Sequence, residues 1–574
     1  MGPTPSGRDE GILATTPLVP AAAEWRWVFT IVVVTILLTQ IPPTAERWFG
    51  PADRVHVGTY WYAGDFAQYL AAIREGATTT SWFIHNHLTS EPHTPVFMYT
   101  LYVAIGKIAG ATGIPAMAVH AAFEQIMRVF LVASLYLFLA ALLPTVAERR
   151  FGFALAAFSG GLGVWKGLGE ALFASDATGG TLSAINTFVE TVTFGSFLAA
   201  PHVGLGLSAT LLSFVCFDRA ARGSRAAIFL LAAAVATLAV VHPFNLPVLI
   251  AAFGAFTVVE TLRTRHLQTT ALLACLTAAV LAAPIVAYNA ITFGLDPFWS
   301  QTYGGPQNTM PSPRPWDLPT DYGLVLPLAL VGIAAVWRRT TSAQRLALVW
   351  LTIGAVCMYT PVPYQRRFGF GLQPVLAALA VLGWPLVRVG AVRLTERIGM
   401  RDARRDGVSR RLMTYPLLIL GFTTPIAAYL AIVASAATNQ PVPIYMVDRE
   451  TYAIGQWIRD HSDDDDVTLG SFNTGNGIVG LLPGRVVLGY DVATVRAKEK
   501  NAEVRAIYGG TSTDADTRRF LTENRVSYLI VGPEERKLGD RDPGLSLGLQ
   551  IAAQVGQATV YRTNPRDETA NERR

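Results

Sequence analysis

Long apolar runs separated by short polar loops dominate the chain up to residue 437, and from about residue 447 the pattern breaks into short apolar pieces between charged stretches. Runs that fit a bilayer crossing fall at 25–41, 116–143, 151–168, 197–217, 226–242, 245–262, 269–289, 321–337, 343–360, 368–390 and 412–437. About 20 apolar residues cover the hydrocarbon core as a helix, so the pattern predicts about eleven spans. The run 95–109 is shorter, opens after Glu91-Pro92-His93 and contains Lys107. It is expected to lie along the outer interface rather than to cross.

Beyond residue 447 the period changes. Glu450 to His461 and Val495 to Tyr508 read as helices, as does Asp514 to Asn524, while Val467 to Phe472, Arg485 to Tyr490, Ser527 to Gly532 and Thr559 to Arg562 read as strands. Strands alternating with helices predict a small α/β layer over 447–563. The ends, 1–24 and 564–574, are polar and expected to be disordered, flanking a membrane domain over 25–440 whose first external loop is 42–115.

Composition supports the membrane reading: of 574 residues, 51 % are hydrophobic and 15 % charged, with a mean hydropathy of +0.35. The net charge of +5 does not call for nucleic acid, because the basic residues sit mainly in short loops where they orient spans. Arg149 and Arg150, Arg219, Arg222 and Arg225, Arg263 and Arg265, Arg338, Arg339 and Arg345, and the cluster from Arg388 to Arg411 all fall on one side if 95–109 does not cross. That side is the cytoplasm. The N-terminus is then cytoplasmic, the C-terminus external, and the first run a retained anchor.

The three cysteines, Cys216, Cys275 and Cys357, lie inside apolar runs. This excludes a disulfide or zinc framework outside the membrane. Gly160-Gly161-Leu162-Gly163 has no preceding strand and no following Lys-Ser/Thr, and reads as helix packing.

Candidate chemistry collects on the external side. In Gly64-Asp65-Phe66-Ala67-Gln68-Tyr69-Leu70-Ala71-Ala72-Ile73-Arg74, the apolar residues Phe66, Tyr69, Leu70 and Ile73 fall at helical spacing. Asp65 stands there as a carboxylate at the membrane edge, either a helix N-cap or a general base, with Tyr69 as a substrate contact. The segment His85 to His93 packs His85, His87 and His93 around Glu91. Glu91 is expected as a second active-site carboxylate and His93 as a substrate contact, with no metal site assigned because nothing fixes ligand geometry. Arg366 and Arg367, beside Tyr364, break the charge rule and suit a phosphate, which guanidinium groups bind bidentately. His202 and His242 end two spans and are further candidates for the cavity.

An inward-to-outward first span, a long external loop with Asp65 in an Asp-Phe-x-x-Tyr setting, interfacial helices, many further spans and an external C-terminal domain together resemble the GT-C superfamily of membrane glycosyltransferases. The resemblance covers roughly 25–437. It implies a plasma-membrane enzyme using a polyprenyl-phosphate-linked sugar donor and a cell-envelope acceptor, with the first-loop acid, here Asp65, as general base. The first loop has no Asp-x-Asp, Asp-Glu or Glu-Asp pair, which departs from the metal-dependent variant of the family; the expected enzyme is an inverting transferase, metal-independent and without a cofactor. Two alternatives come from other classes: a lipid-linked-glycan flippase, which needs charges buried across several spans, and a non-catalytic scaffold with an external binding domain.

Overall fold

The computed structural model describes residues 20–60, 63–173, 188–337, 340–397, 405–437 and 446–563. Most of the expected N-terminal tail, the whole C-terminal tail, Asp176 and the Arg338-Arg339 pair lie outside these residues. Among the described residues, seven helices are long and apolar enough to cross a membrane: Ala22–Phe49, Ala116–Leu142, Pro201–Ala221, Pro243–Thr264, Thr269–Leu295, Gln365–Leu394 and Ile419–Ala437. The chain is a multi-pass membrane protein. Three other expected spans form shorter apolar helices, Arg225–Val241, Val325–Val336 and Ser342–Cys357.

The run expected to cross at 151–168 does not form one helix. It divides into Val146–Phe158 and Gly163–Phe173. At the break a Cβ on Gly161 would stand 2.0 Å from the Thr320 carbonyl oxygen, and the Leu162 N–H donates to that carbonyl at 2.6 Å. Backbone approaching backbone leaves no room for a side chain, which explains the glycines and interrupts the helix. Within the helix Ala116–Leu142, Glu124 and Arg128 pair with each other at 3.4 Å.

One end of the bundle is pinned by ion pairs. Arg149 meets Glu24 at 2.9 Å, and Glu260 takes both Arg345, at 2.5 Å, and Arg263, at 2.8 Å. The opposite end carries the first loop and the C-terminal α/β layer.

In the first loop the helix Ala63–Thr78 packs along the helix Thr100–Thr112. Their backbones nearly touch: a Cβ on Gly106 would lie 2.0 Å from the Ile73 carbonyl oxygen, and one on Gly76 2.5 Å from that of Val103. Phe66, Tyr69 and Ile73 are buried at this contact, as their spacing predicts. The helix begins at Ala63, which places Asp65 inside its first turn and removes the N-cap reading.

Strand β1 (Arg54–His56) pairs antiparallel with β2 (Met446–Asp448), joining the first loop to the start of the C-terminal layer. The remaining strands, β3 (Val467–Leu469), β4 (Arg485–Val486), β5 (Val526–Val531), β6 (Gln550–Val555) and β7 (Ala558–Arg562), form one sheet in the order β4-β3-β5-β7-β6. The β4, β3 and β5 strands are parallel, while β7 and β6 form an antiparallel hairpin on the β5 edge. The β1–β2 pair was not expected, and the main layer departs from expectation at two further places. Phe472, read as the end of a strand, instead begins the helix Phe472–Ile478, where Ser471 caps the Thr474 N–H. The β6 strand is a solvent-facing edge with no apolar alternation to announce it.

The layer is not separate from the first loop. Ala67 and Leu88 share one apolar core with Val447, Ile454, Ile478 and Val486. Hydrogen bonds cross the seam from Asn86 Nδ2 to Ala493 O at 2.7 Å and from Val486 N to His87 O at 2.9 Å.

Candidate active site

Asp65 is carried into the seam by the first turn of the helix Ala63–Thr78, whose start is held by Asn476 Nδ2 donating to Gly64 O at 3.3 Å. Its Oδ1 accepts a hydrogen bond from the Tyr490 hydroxyl, which the C-terminal layer supplies. Burial pushes the Asp65 carboxyl up from its ordinary value, the Tyr490 hydrogen bond and the Arg367 charge oppose that shift, and the Glu190 carboxylate adds to it. Burial and the adjacent carboxylate push the Tyr490 phenol far up, so it stays a donor.

The same neighbourhood contains the two arginines. The Arg366 guanidinium lies 3.5 Å from the centre of the Phe188 ring, with Nε 3.7 Å from Glu190 Oε2. Arg367 lies over the Phe244 ring at 3.9 Å, and its Nε reaches Met310 Sδ at 3.2 Å. Stacking on an aromatic face holds a guanidinium by its plane and leaves its edge to make hydrogen bonds. Arg367 is close enough to Asp65, Tyr99 and Tyr490 for its charge to favour the ionised form of each. The Arg367 charge thus reaches Asp65, and Arg366 is tied to the same surroundings through Glu190.

Aromatic residues line the approach. Tyr69 stacks on Tyr102 at 4.2 Å and meets Tyr99 and His202 edge-on, each at 5.2 Å. The Tyr99 hydroxyl donates to Gln68 Oε1 at 2.7 Å, and the Tyr303 hydroxyl donates to the same oxygen. His202 Nδ1 is 2.8 Å from the Tyr102 hydroxyl, and its ring lies 6.3 Å from that of His242, which stacks on Phe370 at 4.6 Å. Tyr364 packs on Phe244 at 5.7 Å, next to Arg367. Tyr69, His202, His242, Phe244, Tyr364 and Arg367 thus form one chain of ring contacts, which begins one helical turn from Asp65, while Arg366 stands on Phe188 beside it.

Glu91 and His93 do not join it. Glu91 accepts from Lys500 Nζ at 2.8 Å, and this cation is itself 1 % exposed. Burial disfavours the Glu91 charge, but the Lys500 ammonium outweighs it and holds the carboxyl below its usual range. His93 accepts from the Asn86 N–H at Nε2, 2.8 Å, holds the Glu91 carbonyl at Nδ1, 2.9 Å, and stacks on Phe298 at 4.1 Å. Both ring nitrogens are used, and burial pushes the ring down to about 4. These two residues close the seam because the loop His85–His93 turns toward the C-terminal layer rather than toward Asp65.

His85 and His87 both turn to Glu75, at 2.9 and 3.0 Å. Burial disfavours the Glu75 charge, yet hydrogen bonds from the two rings outweigh it and hold the carboxyl down at about 2. Among the described residues no group of three or more His, Cys, Asp or Glu side chains is arranged to hold a metal ion. Glu190 and Tyr490 are the neighbours of Asp65 that sequence reasoning did not assign to the site. Nothing local marks either residue, since Tyr490 is 425 positions from Asp65.

No family model and no curated protein matches the chain. Among solved structures, it is similar in fold to the archaeal oligosaccharyltransferase AglB from Archaeoglobus fulgidus, solved with an inhibitory peptide and a dolichol-phosphate. That match is 14 % identical, covers 92 % of this chain and 72 % of the other, and has a TM-score of 0.49. ArnT from Cupriavidus metallidurans bound to undecaprenyl phosphate is 13 % identical over 95 % of this chain and 100 % of its own, at 0.48. The arabinofuranosyltransferase AftD from Mycobacteria is 14 % identical over 95 % of this chain and 40 % of its own, at 0.46. With every score below 0.5, these likenesses carry no functional weight, and the chemistry is taken from the site.

Proposed function

We propose that the protein is an outer-leaflet glycosyltransferase that moves a sugar from a polyprenyl-phosphate donor to a cell-envelope acceptor. The observation that carries this reading is a half-buried carboxylate, Asp65, under the charge of Arg367, which with its neighbour Arg366 is held on aromatic rings. In the reaction Asp65 takes the proton from an acceptor hydroxyl as its oxygen bonds to the anomeric carbon. The bond from that carbon to the phosphate oxygen breaks, and its electron pair leaves on the polyprenyl phosphate. Arg366 and Arg367 hold the phosphate and stabilise the charge it gains. One displacement inverts the anomeric centre.

The apolar helices leave the prenyl chain in lipid while the aromatic approach of Tyr69, Tyr99 and Tyr303 offers flat faces to sugar rings. This reading puts the site and the C-terminal layer on the external face, the side opposite the ion-paired arginines. Transfer from polyprenyl-phosphate-linked sugars in proteoliposomes tests it. Asp65→Asn is expected to lower transfer on the order of 10³-fold with donor binding retained. Undiminished transfer by this variant removes Asp65 as the base, whereas no transfer by the wild type from any such donor leaves the flippase and scaffold alternatives in its place.

A further inference from the structure

The hydrogen bond on Asp65 comes from a turn that the rest of the molecule grips from three sides. Thr494 Oγ1 donates to Leu88 O at 2.6 Å, and the Val495 N–H donates to Thr89 Oγ1 at 3.2 Å, both on the first loop. Gln307 Nε2 donates to Val492 O at 2.9 Å and to Thr494 O at 3.0 Å from another loop. Asn476 Nδ2 donates to Gly489 O at 2.8 Å as well as to Gly64 O, so one amide ties the turn to the start of the Asp65 helix. The outcome of this bracing is a single phenolic O–H aimed at the carboxylate. Neither Asp65 nor Tyr490 is fully buried, each keeping part of its surface exposed.

A general base accepts a hydrogen bond from the acceptor hydroxyl before it takes the proton. Here a hydroxyl of the protein already makes that bond. We propose that the Tyr490 hydroxyl is a resident stand-in for the acceptor hydroxyl, displaced from Asp65 when the acceptor binds. The inference rests on Asp65 being the base and adds the residue that sets how tightly the acceptor must bind. Tyr490 gains and loses no proton: the acceptor proton passes to Asp65, and the phenol only changes its partner. While the acceptor is absent, the phenol keeps water from the same position and so protects the donor from hydrolysis, in which water would lose its proton to Asp65 and its oxygen would take the sugar.

Tyr490→Phe in the full-length protein tests this, using an undecaprenyl-phosphate-linked sugar that the wild type turns over. The expected result is an acceptor KM lowered by about 5-fold, kcat within about 2-fold of wild type, and hydrolysis without acceptor raised by about 5-fold. Thr494→Val, which loosens the turn and leaves the phenol in place, moves KM and hydrolysis the same way by less, and serves if the phenylalanine variant folds poorly. An acceptor KM unchanged or raised in both variants overturns the proposal.

A second readout needs no substrate. Labelling of Asp65 by a water-soluble carbodiimide, followed by peptide mass spectrometry, is expected to rise in Tyr490→Phe, and unchanged labelling also overturns the stand-in role. A wild type inert toward every polyprenyl-phosphate donor removes the proposed function, and the stand-in role with it. Turnover with unchanged KM and labelling removes the stand-in role alone.

Discussion

Three carboxylates of the first loop, Asp65, Glu75 and Glu91, end in opposite electrostatic states. Glu75 is held down at about 2 between His85 and His87, and Glu91 is held below its usual range by Lys500. Asp65 is pushed up: its nearest partner is a neutral phenol, and Glu190 offsets the help it receives from Arg367. A carboxylate whose charge is fully compensated supports a fold but makes a poor base. One left under-compensated in a buried place is suited to take a proton. The difference separates the seam of the molecule from its site.

Mutation can break that separation, and the largest effect expected is the loss of transfer in Asp65→Asn. Its thermal midpoint should stay level or rise, because a raised pKa means that the charged carboxylate costs the fold stability. A marked fall in the midpoint would put Asp65 with the structural pair.

Glu75→Gln comes next, with stability expected to fall by roughly 2–3 kcal/mol in denaturant or thermal unfolding, since the buried His87 and the exposed His85 lose their shared acceptor. The pH dependence has a defined sign. A folded-state pKa below the unfolded 4.5 contributes stability that is complete above about 4.5 and is lost as pH falls toward about 2. His93, neutral and pushed down to about 4, begins the same loss earlier, between about 6.5 and 4. Acid unfolding of the wild type should therefore start near 6.5, and in Glu75→Gln the component below 4.5 should shrink, leaving the share of carboxylates such as Glu91 and Glu534.

Glu91→Gln is expected to be milder, about 1–2 kcal/mol, because Glu91 is partly exposed and Lys500 keeps the Ser90 hydroxyl, 2.9 Å away. Transfer measured below its unfolding range should stay near wild type. A loss comparable to that of Asp65→Asn would return Glu91 to the site.

Much of this was legible in the sequence. The apolar runs announced the membrane helices, and the helical spacing of Phe66, Tyr69 and Ile73 announced the face that buries them. Arg366 and Arg367 stood out because they lie where the charge rule does not expect cations. The break at Gly160-Gly161 was not legible, because it depends on the Thr320 backbone passing across it. The fates of Glu91 and His93 were hidden for a related reason: proximity in sequence to Asp65 suggested a shared site, while the partners that claim them, Lys500 and Phe298, come from distant segments. Tyr490 and Glu190 reach Asp65 only through tertiary contact, which no local pattern records.

In the proposed reaction a lipid phosphate sits against the stacked arginines with Asp65 facing the sugar it carries. A structure of the protein in a lipid nanodisc with undecaprenyl phosphate tests it most directly. Phosphate oxygens are expected within about 3 Å of the N–H groups of Arg366 or Arg367, on the side that faces Asp65. A phosphate seated out of reach of both guanidinium groups would contradict the account.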